Sequence, residues 1–141
     1  MIRSATSADV VAVLALWNAA DVPPGVTDTP DGLGALLATD RQALLIAESE
    51  RRVVGSLFAA WDGWRGSFYR LAVHPNRRRE GIATALLREG ESRLRGRGAV
   101  RLTAIVAEDE PLALEFWRAL GYERQPKRVR FLRHLDRSDA P

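Results

Sequence analysis

The sequence predicts an α/β (α+β) protein, a mixed β-sheet with helices on its faces. Three observations carry that prediction. The chain has 141 residues, enough for one sizeable core and most simply one domain. Apolar, β-branched runs alternate with helix-period segments in the order β-α-α-β-β-β-α-β-α-β-β. The middle of that order is a run of hairpins, so the alternation builds a mixed sheet. The domain spans 1–135, and the tail "DRSDAP", residues 136–141, is expected to fray.

"IRSAT" reads as a short first strand, and Thr6 or Ser7 can cap the helix after it. In that helix Val10, Val13, Leu14 and Trp17 recur at the spacing of one buried face. "DVPPGVTDTPDG" has the Pro, Gly and Asp content of a loop, and a short helix over Pro30 to Ala38 is weakened by Gly32 and Gly34. "ALLIAESE" and "RVVGSLFAAW" are two strands joined through the polar "SERR", a hairpin. "DGWRGS" turns into a third strand, "FYRLAVHP", which Pro75 ends because it has no N–H for a sheet. A helix from Arg79 to Arg95 follows, with Ile82, Leu86, Gly90 and Leu94 four apart, until "GRG" breaks it. "VRLTAIVA" is another strand. Pro111 opens the last helix, Leu112, Ala113, Phe116 and Leu120 share a face, and Gly121 fits its C-cap. "YERQ" and "RVRFLRHL" read as two last strands.

Composition narrows the chemistry. There are no cysteines, so thiolate metal sites and disulfides are out. His74 and His134 stand far apart in the chain, which makes a zinc or Ser-His-Asp site improbable. No metal is expected. The P-loop, the dinucleotide fingerprint and the nucleophile elbow are all missing. No apolar run is long enough to span a bilayer, and "MIRSATSADV" lacks a secretion-signal core, so the expected location is cytoplasmic. Every basic residue but Lys127 is arginine, yet the net charge of +3 is modest, and it argues only weakly for nucleic acid as a partner.

One stretch stands out. "HPNRRREGIATALL" crowds Arg77, Arg78 and Arg79 before Gly81, where a helix begins. A helix start is already electropositive, so cations there are unfavourable unless an anion or water relieves them. The first amides of a helix have no internal partners and suit phosphate oxygens. Gly81 and Ala83 let a ligand approach the backbone, and guanidinium groups match phosphate. A solvated turn with incidental arginines is the alternative.

This stretch resembles the acetyl-CoA signature of the GCN5-related N-acetyltransferase (GNAT) superfamily, Q/R-x-x-G-x-G/A after a strand ending V-x-P. Here it reads Arg78-Arg79-Glu80-Gly81-Ile82-Ala83 after Val73-His74-Pro75. A second family block, A-x-x-F-Y-x-x-x-G-F/Y, is similar to "ALEFWRALGY", Ala113 to Tyr122. The element order resembles the family's over nearly the whole chain, and "DGWRG" before "YRLAVHP" is similar to a subgroup of small bacterial members. The resemblance implies a mostly antiparallel sheet of 6–7 strands, flanked by about four helices and splayed between the fourth and fifth strands. It implies acetyl-CoA as co-substrate, its pyrophosphate on the amides of Arg79, Glu80, Gly81, Ile82, Ala83 and Thr84, with Arg78 or Arg79 on phosphate. The pantetheine arm would run along Leu71, Ala72 and Val73. The reaction implied is direct attack of a small-molecule or peptide amine on the thioester. Homodimers are common in the family; no membrane partner is implied.

The chain also departs from the pattern. Glu110 stands where members often have Asn, and a carboxylate cannot donate as an amide does. Trp117 stands where many place a Tyr as general acid, and indole cannot supply that proton. Trp117 either packs the core or shapes the cofactor channel, with Tyr69 as a substitute acid. The base is open among Glu108, Asp109, Asp62 and water. The resemblance implies that the loop from Asp21 to Pro30 lines the acceptor side together with the last strands; Asp21, Asp28 and neighbouring Asp31 either attract a cationic amine or are ordinary loop acids. An acyl-CoA-binding or sensor domain with weak catalysis is the first rival reading, and a nucleic-acid-binding protein is the second.

Overall fold

A computed structural model describes residues 1–135, in two compact units, 1–105 and 106–135. The expected frayed tail lies outside the described residues. The first unit contains β1 (Ile2–Ser4), α1 (Val10–Ala19), α2 (Pro30–Thr39), β2 (Leu44–Ser49), β3 (Arg52–Trp61), β4 (Gly66–Val73), α3 (Ile82–Gly96) and β5 (Leu102–Ala104). The second contains α4 (Pro111–Ala119). The sheet runs β1-β2-β3-β4-β5, antiparallel through β4 and parallel between β4 and β5. A mixed, mostly antiparallel sheet with four helices is therefore present.

The hairpin between β2 and β3 closes on the two residues Glu50 and Arg51, with φ of 52° and 64°. Both central residues at positive φ is the turn whose twist matches the flanking strands. The sheet is covered on both faces. Leu44, Ile46, Phe58 and Ala72 pack with Val13, Leu16 and Trp17 of α1. The alternate positions, Leu45, Leu57 and Phe68, face α3, whose Leu86, Leu87 and Leu94 are buried. A Cβ at Gly90 would lie 2.9 Å from Phe68 and 3.1 Å from Leu57, so the bare backbone lets α3 ride close to the sheet. In α1 the deeper contact is Leu16 rather than the expected Leu14, which is partly buried. No helix among the described residues is long and apolar enough to cross a membrane.

Several expectations need correction. The sheet has 5 strands rather than 6–7. "YERQ" and "RVRFLRHL" form no strand; Val129 and Phe131 are 80% and 93% exposed. The alternation of arginine with apolar residues has the right period, but a strand exists only where a partner edge satisfies its backbone, and period 2 does not name that partner. β5 covers Leu102–Ala104, not the whole of "VRLTAIVA". The long helix begins at Ile82 instead of Arg79, because Arg79 and Gly81 both take positive φ. In α4 Leu112 is 78% exposed and not on a buried face.

A three-residue 3-10 turn, Ser7–Asp9, leads into α1 after Thr6. Asp9 accepts from the Thr6 amide at 2.7 Å and pairs with Arg3 at 2.8 Å, and Arg3 also meets Glu48 at 2.6 Å. The Arg3 hydrogen bond, helped by the Thr6 amide, lowers the Asp9 carboxyl to about 2 against a partial burial penalty. A depressed carboxylate stabilises the fold above its unfolded value of 3.8 and loses that contribution as pH falls through about 2. Asp9→Asn is expected to cost about 1–2 kcal/mol at neutral pH and to flatten the stability profile between these values, read by urea denaturation against pH. A parent profile as flat as the variant's would rule this out.

Candidate functional site

The site is built where β4 runs into α3. After Val73 the chain makes one 3-10 turn, Pro75–Arg77, and the His74 ring nitrogen Nδ1 accepts from the Asn76 amide at 3.2 Å. His74 thus caps the turn. Arg77 folds onto Glu80, with Nε to Oε2 at 2.8 Å and Nη2 to Oε1 at 3.1 Å. Each raises or lowers the other accordingly: the guanidinium goes up and the carboxyl goes down, chiefly through that hydrogen bond. So one of the three crowded arginines is compensated inside the loop, leaving the charges of Arg78 and Arg79 on it.

Arg79 has φ 64° and Gly81 φ 80°, with Glu80 between them. Alternating backbone handedness turns successive N–H groups toward one point, a concavity that holds anions. The first turn of α3 continues it. Gly81 offers no side-chain cap, and the first bond into the helix runs from the Ala85 amide to the Gly81 carbonyl at 3.0 Å. The amides of Ile82, Ala83 and Thr84 precede that bond and have no acceptor within the helix. A Cβ at Gly81 would meet nothing within 4 Å, so the cradle is open.

Beside it lies a stretch of β4 that, among the described residues, runs past the end of its pairing with β5. β5 pairs with β4 only across Gly66, Ser67 and Phe68, opposite Leu102, Thr103 and Ala104. β4 continues through Leu71, Ala72 and Val73, of which Ala72 and Val73 pair with Ser56 and Gly55 of β3 on the other side. The fourth and fifth strands therefore part after Phe68, leaving backbone groups that a ligand's amides can satisfy. β4 also carries a bulge: Ser56 pairs with Ala72 and Phe58 with Tyr69, so Arg70 and Leu71 together oppose Leu57. Tyr69, beside the bulge, is 48% exposed.

The other candidates have different surroundings. Asp62 is a turn residue, accepting from the Trp64 and Arg65 amides at 2.7 Å and 2.6 Å, which hold its carboxyl below the usual range. Asp28 is committed to Arg70, and its side chain is only 9% exposed. Asp21 and Asp31 are exposed. In the second unit Glu108 accepts from Arg124 at 2.7 Å, a surface pair. Asp109 is exposed, and Glu110 precedes α4 without capping it through its side chain. Trp117 meets Phe116 and Tyr122 edge to face, at 5.7 Å and 4.9 Å.

The chain's sequence pattern matches that of the Acetyltransferase (GNAT) family over residues 12–122. It belongs to that family. This member is 35% identical over 124 residues to the acetyltransferase YE1169 of Yersinia enterocolitica, covering 88% of each chain. Its fold is similar to that of the aminoglycoside 6'-N-acetyltransferase of Acinetobacter haemolyticus, with a TM-score of 0.72, 22% identity, and coverage of 96% and 99%. It is also similar to the PaiA N-acetyltransferase of Thermoplasma acidophilum, solved in complex with coenzyme A, with a TM-score of 0.75, 14% identity, and coverage of 89% and 90%.

Two residues of this region, Arg70 and Ser56, escaped the sequence reading, and Trp17 was read only as a core residue. Arg70, Ser56 and Trp17 meet at the bulge, Trp17 donating to the Ser56 hydroxyl at 2.8 Å and Ser56 donating to the Arg70 carbonyl at 2.9 Å. A signal existed: a buried indole N–H needs an acceptor, and Ser56 is the polar residue in the otherwise apolar interior of β3.

Proposed function

We propose that this GNAT family member transfers the acetyl group of acetyl-CoA to the nitrogen of a small-molecule or peptide amine. The observation that carries the reading is the adjacency of the Arg79–Gly81 concavity, the open start of α3 and the stretch of β4 that runs past its pairing with β5. Phosphates and an amide-bearing arm are the two chemistries that such a surface takes. The amides from Arg79 through Thr84 would hold the pyrophosphate, with Arg78 or Arg79 adding charge. Leu71, Ala72 and Val73 would pair with the pantetheine arm through their backbone. Acetyl-CoA brings an activated carbonyl, and a thiolate leaves readily near neutral pH. The chain's contribution is orientation and a backbone donor near Val73 aimed at the carbonyl oxygen.

Trp117 cannot act as an acid, and Tyr69, beside the bulge with its side chain half exposed, is the better placed hydroxyl. Glu108 is held by Arg124, so water is our choice of proton acceptor. We place the cysteine-free chain in the cytoplasm, as one domain over 1–135.

Coenzyme A at about 100 times its Kd is expected to raise stability by about 2–3 kcal/mol, a melting shift of roughly 5–10 °C. Acetyl-CoA should then release thiol in the presence of one of three amines: kanamycin, a hexapeptide beginning with alanine, or spermidine. Absence of any melting shift at millimolar coenzyme A would overturn the reading. Binding without transfer to any amine would favour the acyl-CoA-binding domain, the reading that the tryptophan at 117 supports.

A further inference from the structure

Asp28 lies in the loop between α1 and α2, and Arg70 lies in the bulge of β4. The Arg70 Nη2 is 2.5 Å from Asp28 Oδ2, and its Nε is 3.3 Å from Oδ1, a two-pronged contact between guanidinium and carboxylate. Asp28 Oδ2 also accepts from the Gly25 amide at 2.7 Å, and the Asp28 amide donates to the Gly25 carbonyl at 3.1 Å. A Cβ at Gly25 would lie 3.1 Å from Arg70 Nη2, so a side chain there would crowd the pair. On its other side the guanidinium carbon is 5.6 Å from the centre of the Trp17 ring.

The same arginine is fixed at its backbone. It holds φ 54°, a conformation that side-chain-bearing residues adopt at a cost, and its carbonyl accepts from Ser56. Bulge and loop are thus joined through one residue: backbone to β3 and α1, side chain to the loop. A carboxylate this covered, with its charge answered by arginine, is a poor counter-ion for an incoming cationic amine.

We propose that Arg70 and Asp28 are a positioning pair that clamps the α1–α2 loop to the bulge of β4, and so sets the acceptor-side wall of the acetyl-transfer site. This rests on the acetyltransferase reading above. Neither residue belongs to the Arg78–Thr84 stretch that would hold the phosphates, so the pair is expected to act on the amine side more than on coenzyme A affinity.

Asp28→Asn keeps the shape and removes the charge; Arg70→Met removes the fork; Arg70→Lys keeps a charge. Hydrogen exchange of the amides at 22 and 25–29 is expected to quicken by about tenfold or more in the first two variants, with partial restoration in Arg70→Lys. Coenzyme A affinity should stay within about threefold of the parent, while the KM of whichever of kanamycin, the alanine peptide or spermidine the parent accepts rises by about tenfold and kcat changes less. Unchanged exchange in Asp28→Asn, or a fall in kcat with KM unmoved, overturns the clamp. Should Arg70→Met fail to fold, the isosteric Asp28→Asn decides. If the parent does not bind coenzyme A, the acetyltransferase reading fails, and with it the clamp's catalytic part; the exchange arm still decides whether the pair holds the loop.

Discussion

Gly81→Glu is expected to abolish coenzyme A binding and to leave the sheet folded. Gly81 is exposed at the mouth of α3, and its Cβ would project into open space, so no core contact is disturbed. Its φ of 80° makes any side chain there cost roughly 1–2 kcal/mol, which a folded domain tolerates. The new carboxylate would sit where the proposed function puts the phosphates. Two like charges about 4 Å apart near a protein surface repel by about 4 kcal/mol, enough to weaken binding by at least about 100-fold. Gly81→Asn separates charge from strain, because asparagine accepts left-handed backbone and carries no charge. It should retain much of the affinity. Titration calorimetry with coenzyme A and circular dichroism of both variants make the comparison. Parent-like affinity in Gly81→Glu would move the phosphates elsewhere.

The second large effect is on stability. Ser56 is fully buried, and its hydroxyl serves two groups, the Trp17 indole and the Arg70 carbonyl. Ser56→Ala strands a buried donor and a bulge acceptor together, at about 1–3 kcal/mol each, so a loss of about 2–4 kcal/mol is expected in urea denaturation. Adding Trp17→Phe removes the stranded donor, and the double variant should lose less than the sum of the two single changes. A loss below about 1 kcal/mol for Ser56→Ala would mean that water reaches the indole, and the bulge would not depend on this hydroxyl.

The rule behind each reading shows how far the sequence reached. "RVVGSLFAAW" is observed as a strand with the same bounds, and Leu86, Gly90 and Leu94 are buried on α3 as their spacing requires. These features depend on neighbours one to four residues away, where period and turn chemistry act. "RVRFLRHL" has an equally good period and forms no strand, because its partner is a matter of distant chain. The proposed anion cradle was half visible. Gly81 and the arginines marked the place, but Arg77 turning back on Glu80, and the positive φ of Arg79, depend on how the loop leaves β4.

By itself, then, the sequence determined the alternation of strands and helices, the hairpin, the crossing from β4 into α3 and the motif that marks the family. Each is written in local spacing, and local spacing is fixed before any long-range contact forms. Tertiary structure alone decided the ending of β4–β5 pairing at Phe68, the bulge at Arg70, and the capture of Asp28 by an arginine 42 positions away. Those depend on which strand edge lies beside which and on which charge is left under cover. No periodicity records them, because they arise only when backbone groups and buried charges must find partners in the folded chain.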